Sequence, residues 1–173
     1  MRKILILLLL ATLFYSCTSD ILLDNKEGKW TNNIENLVVH NDKKTTIQQG
    51  IYGTLIKVEG NCMPVIDENS TCKSYPVKRN IVIYEYTKFD QTERDEKSPV
   101  FFTKIHTSRI KTVVCDDEGF FQASLPKGVY SVFIEENGLL YANGLDGYGG
   151  LCPVEVKSNE KSSINLRLSY AVY

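Results

Sequence analysis

The chain has 173 residues, 20 basic against 21 acidic, for a net charge of −1. That balance raises no field of either sign, so neither nucleic acid nor an anionic lipid surface has an electrostatic claim as a partner. The length suits one domain together with a linker.

At the N-terminus, Met1-Arg2-Lys3 puts positive charge ahead of an apolar run from Ile4 to Leu10 that continues through Phe14-Tyr15. This is the pattern of a secretory signal, over residues 1–16. The run is too short for a hydrocarbon core of about 30 Å, which takes roughly 20 apolar residues, and no later stretch is long enough. No transmembrane helix is predicted. Ser16-Cys17-Thr18-Ser19-Asp20 follows and resembles a lipobox, with Phe14 where Leu is usual. The resemblance implies cleavage before Cys17 and acylation of that residue; the alternative is an ordinary signal cut nearby. Two or three acyl chains hold firmly, since each buried CH₂ contributes about 0.8 kcal/mol and one chain alone is marginal. The expected location is the bacterial envelope, at the outer membrane, facing either the periplasm or the surface.

Residues 17–48 are polar and mixed in charge, with Trp30 and Leu37-Val38-Val39 as apolar points. They read as a tether carrying one docked strand near residues 36–39. A flexible coil of about 30 residues spans roughly 30 Å, enough to lift a domain clear of lipid headgroups.

From Gly50 onward, short β-rich runs alternate with Gly, Pro, Asn and Asp, and no long 3.6-residue period is present. Strands are predicted over residues 50–58, 80–88, 100–106, 109–115, 120–125, 129–135, 152–157 and 163–170. Period-2 alternation places Phe121, Ala123 and Leu125 on one face, Tyr130, Val132 and Ile134 on one face, and Ile164, Leu166 and Leu168 on one face. Asp116-Asp117-Glu118-Gly119 and Pro126-Lys127-Gly128 supply turn chemistry, Gly taking positive φ and Pro fixing φ. The class is therefore all-β, a seven- to eight-stranded sandwich of Greek-key type over residues 49–173.

Export puts Cys62, Cys72, Cys115 and Cys152 where disulfides persist, and four thiols allow three pairings. Cys62 with Cys72 is favoured. Cys115 and Cys152 then either pair across the fold or remain as buried thiols. Close ligand pairs such as C-x₂-C or H-x₃-H are missing from the sequence, so zinc and other cofactors are not expected.

Three segments together resemble the carboxypeptidase regulatory-like domain. GIYGTLIKVEGNCMPV looks like its opening strand and turn. DDEGFFQASLPKGVYSVFI carries the spacing G-x-F-x-x-x-L-P-x-G-x-Y, with Gly119, Phe121, Leu125, Pro126, Gly128 and Tyr130. PVEVKSNEKSSINLRL looks like its closing strands. The resemblance covers Gln49 to Leu168. It implies a transthyretin-like sandwich that acts as an accessory module without chemistry of its own. The Cys62–Cys72 segment and the stretch from Phe89 to Pro99 depart from the pattern and are expected to lengthen two loops.

For catalysis, His40 and His106 are the two histidines, and neither lies in a nucleophile motif. Two enzyme groups share the transthyretin-like sandwich. Intradiol dioxygenases need a two-Tyr, two-His iron site, and hydroxyisourate hydrolases need a C-terminal Tyr-Arg-Gly-Ser. This chain ends Ser169-Tyr170-Ala171-Val172-Tyr173. Asp116, Asp117 and Glu118 offer hard oxygens without EF-hand spacing, and read as a solvated turn before a calcium site. The Gly-rich stretch 137–150 reads as a long loop in which Tyr141 and Tyr148 could stack on a sugar and Asp146 accept its hydroxyls. The expectation is a non-catalytic envelope lipoprotein whose partners are the membrane, through the lipid, and an envelope protein or glycan. An enzyme with a site of scattered Asp, Glu and Tyr, and a glycan-binding surface protein, are the alternatives.

Overall fold

The computed structural model describes residues 28–64 and 70–173. The signal segment and Cys17 lie outside the described residues. Among the described residues one α-helix, α1 (Ile34–Asp42), precedes twelve strands: β1 (Gly50–Asn61), β2 (Lys73–Pro76), β3 (Asn80–Glu85), β4 (Thr92–Asp95), β5 (Ser98–Ile105), β6 (Arg109–Val114), β7 (Phe120–Ser124), β8 (Gly128–Glu136), β9 (Leu139–Tyr141), β10 (Pro153–Val156), β11 (Lys161–Ser163) and β12 (Leu166–Val172). The fold is an all-β sandwich of a five-stranded and a seven-stranded sheet.

β1 is the spine of the smaller sheet. Its first residues lie between antiparallel β7 and parallel β11, and the rest between antiparallel β2 and parallel β12. The larger sheet runs β4-β5-β9-β8-β3-β6, with β10 also paired to β8. The predicted alternation decides what fills the space between the sheets. Phe121, Ala123 and Leu125 from β7 and its end meet Tyr130, Val132 and Ile134 from β8, and all six are buried in one cluster with Ile51, Leu55 and Leu168. Fully burying one such side chain contributes about 1.5–3 kcal/mol.

The outer faces are covered too. β8 turns Phe133 outward against Phe102, Ala142 and Leu151, which explains why its apolar run is continuous where a one-sided strand would alternate. On the smaller sheet, Ile56 and Val58 face out and pack beneath Leu37 of α1.

Here the structure corrects three expectations. Residues 36–39 form no strand: Ile34, Leu37, Val38 and Asn41 fall at helical spacing, and α1 uses it to bury Leu37 and Asn41 on the sandwich. The stretch from Phe89 to Pro99 is not a plain lengthened loop. It folds into a 3₁₀ turn, Phe89–Gln91, and then β4, which pairs with β5, while Phe89 packs edge-on to Phe102 at 6.2 Å. Gly128 takes no positive φ. A Cβ there would sit 3.1 Å from the Tyr130 hydroxyl, which itself donates to the Pro126 carbonyl, so glycine answers a close approach. Gly119 does behave as a turn glycine, at φ 71°, and a Cβ would meet the Leu55 carbonyl oxygen at 2.2 Å.

Cys62 and Cys72 are bridged, with Cα atoms 4.7 Å apart, closing the connection from β1 to β2. Cys115 and Cys152 are free thiols.

Candidate functional site

The loop singled out from sequence is built around Asp146. One carboxylate oxygen accepts from the amides of Tyr148 and Gly150, each at 2.8 Å, and the other accepts from the Tyr86 hydroxyl at 2.8 Å. Burial alone would raise the pKa of this carboxyl, yet those donors hold it below the ordinary aspartate value. Bridges from Lys88 to Gly150 and from Leu145 to Leu151 close the loop into a small hairpin. Its base rests on a buried polar knot in which the Thr87 amide donates to the Ser131 hydroxyl and the Leu151 amide to the Thr87 carbonyl.

The three residues expected to bind a sugar do not converge. Tyr141 belongs to β9 and is buried, its ring 5.1 Å from Phe101 and its hydroxyl accepting from the Ser169 amide. Asp146 already accepts from two loop amides and from the Tyr86 hydroxyl. Only Tyr148 is displayed, 83% exposed. Stacking on Tyr141 is therefore not available to a ligand in this conformation.

The acidic stretch is a solvated turn, as expected, with Asp117 well exposed, and it also carries a structural job. Asp116 accepts from the amides of Glu118 and Phe120, each at 2.9 Å, shaping the turn. Glu118 reaches α1 and its flanking residues, accepting from Lys44 after the helix at 2.7 Å and from the indole N–H of Trp30 before it at 2.8 Å, with His40 Nε2 of the helix at 3.0 Å. Lys44 first, then Trp30, hold this carboxyl down at about 2. Asn41 completes the latch, donating to the Glu118 carbonyl and the Thr54 hydroxyl. The cluster clamps the helix to the sandwich.

Docked this way, α1 leaves a groove between itself and the smaller sheet. Ile34 and Val38 of α1 and Ile56 of β1 give it apolar walls, Thr54 and Asn165 add polar lining, and Glu35 and Arg167 stand on its rim with opposite charge. Its volume is about 470 Å³, within the range of about 300–1,000 Å³ that ligand pockets span. A smaller cleft of about 200 Å³ opens between the sheets beside Cys152, floored by Val132 and Ile134. Neither feature was singled out from sequence. The signal for the groove was the helical spacing from Ile34 to Asn41.

Several other reactive groups are paired or buried within the fold. His106 faces Glu93 at 3.2 Å, on a different element from His40. Burial pushes the Cys115 thiol up to about 12 and also raises Cys152. Arg79 and Glu136 form a buried ion pair to which the Tyr170 hydroxyl donates, and burial followed by that negative charge pushes Tyr170 up to about 12. No cluster of three His, Cys, Asp or Glu with metal-binding geometry occurs among the described residues. Comparison with family models, with curated proteins and with solved structures finds no match to this chain.

Proposed function

We propose that this chain is a non-catalytic lipoprotein of the bacterial envelope, exported by residues 1–16, anchored through lipid on Cys17, and displaying its sandwich as a binding or structural module. The anchor rests on the charged and apolar leader followed by Ser16-Cys17. The module reading rests on one observation: a concave surface with apolar walls lies at the α1 groove, while His40, His106, Glu118 and Asp146 are engaged with partners within the fold. We further infer kinship with the carboxypeptidase regulatory-like domain and its Greek-key topology. Support comes from the motif residues Phe121, Leu125 and Tyr130, which share one core cluster, and from Gly119 in a positive-φ turn.

Metabolic labelling with a fatty acid tests the anchor. The wild-type chain takes up label and fractionates with membranes, and Cys17→Ser does neither. An unlabelled wild type, or label that persists in Cys17→Ser, removes the proposal.

A glycan-binding reading survives in reduced form, carried by the fully displayed Tyr148 ring beside exposed Leu145. Glycan-array signal that Tyr148→Ala abolishes would favour it over a protein partner.

A further inference from the structure

The geometry points to an occupant for the α1 groove within the chain itself: the segment Ile21-Leu22-Leu23, which precedes the described residues. Three observations converge. First, the groove is unfilled among the described residues and has apolar walls in Ile34, Val38 and Ile56. Second, the described chain enters on this same face. Trp30, Ile34, Cys62 and Cys72 pack on Leu37 of α1 and on Ile56 and Val58 of β1, and the Asn32 amide donates to the Ser74 carbonyl on the β2 side of that strand, across α1 from the groove on the β12 side. From Leu23 to Gly28 five residues extend to at most about 17 Å, comparable with the six-residue path from Gly28 to Ile34 in the groove wall. The triplet can therefore double back onto the face that its own continuation covers.

Third, the flanking charges match. The segment reads Asp20-Ile21-Leu22-Leu23-Asp24-Asn25-Lys26. Its two aspartates complement Arg167 on one rim, and its lysine complements Glu35 on the other. An apolar triplet in an otherwise polar stretch also has no other reason to be water-exposed, and burying it removes that surface from water.

Docking of the triplet does not depend on lipidation, but it changes what lipidation would do. With Ile21 to Leu23 held against α1, only Thr18, Ser19 and Asp20 would separate an acylated Cys17 from the sandwich. The domain would then lie against the membrane rather than on a long leash, with α1 on the membrane-facing side.

The test uses the chain with its natural N-terminus, purified from membranes in detergent. Hydrogen exchange should show the amides of residues 21–24 protected at least about tenfold relative to an unstructured reference. Val38→Asp, on the groove wall, should abolish that protection, and Arg167→Glu, on the exposed rim, should reduce it severalfold. A photo-cross-linker at Leu22 should join peptides containing residues 34–38 or 164–167 of the same chain. Reference-rate exchange at 21–24 overturns the proposal. So does protection that survives both variants, or cross-links that go to lipid or to another copy. Should Val38→Asp unfold the protein, Arg167→Glu decides alone, because its side chain stands in solvent. Fatty-acid labelling of Cys17 reads the anchor separately, so failure of one leaves the other standing.

Discussion

The Tyr86 hydroxyl donates to Asp146 at 2.8 Å, and this bond, with the two backbone amides on the other oxygen, turns a presumptive ligand carboxylate into the keystone of its own loop. Asp146→Ala leaves those three donors without their acceptor and should lower the stability of the loop. Tyr148→Ala, by contrast, removes a displayed ring and should change stability by less than about 0.5 kcal/mol. Thermal unfolding of the two variants distinguishes them. Equal losses would mean that the loop is not braced through Asp146.

Glu118 predicts an acid dependence of the helix clamp. Its folded pKa, at about 2, lies below the ordinary glutamate value, so the clamp's contribution is present above about pH 4.5 and is lost as pH falls toward 2. The side chain is about one-third exposed, and water screens the interaction, so its worth is roughly 1 kcal/mol. Urea unfolding of wild type and Glu118→Gln should therefore differ at pH 7 and converge near pH 2. A difference that is constant across this range would rule out the carboxylate as its source.

The Cys62–Cys72 bridge closes a separation of 10 residues between two strands that pair with each other. Loop-closure entropy puts its contribution at roughly 3 kcal/mol. Cys62→Ser combined with Cys72→Ser should lower the urea midpoint accordingly, and reduction of the wild-type chain should have the same effect. If the midpoint does not move under reductant, the bridge is not closed in solution.

Cys115, buried and with its thiol pushed up to about 12, should stay unmodified by a thiol reagent at pH 8 until the protein is unfolded. Cys152, partly exposed, should react first but slowly. Mass spectrometry of labelled peptides reads both sites. Rapid native labelling of Cys115 would contradict its burial.

Much of the sandwich was legible because its signals are local. Alternation in Phe121-Ala123-Leu125 and Tyr130-Val132-Ile134 depends only on the two-residue pleat, and Gly119 on a turn that needs positive φ. The short strands β2, β4, β9 and β11 carried no such signal. They are three or four residues long, and a neighbour's hydrogen bonds make them strands. Helix α1 was legible in principle, from the spacing of Ile34, Leu37, Val38 and Asn41, but its nine residues are too few to fold without a surface beneath them. The candidate site was the least legible part. Tyr141 and Tyr148 are equivalent in sequence, and pairing of β9 with β5 and β8 is what buries one and leaves the other exposed. Asp146, followed by Gly147, carried a turn signal, yet its second oxygen meets Tyr86, sixty positions away in sequence.

Local patterning was enough for the β class, the turn at Gly119 and the inward face of β7 and β8, and the short separation of Cys62 and Cys72 was enough to favour that pair. Tertiary structure alone decided that α1 docks, that Glu118 clamps it, that Tyr141 is core, and that a groove opens between α1 and β12. Those outcomes depend on which distant surfaces meet, and burial is a property of the meeting rather than of the residue.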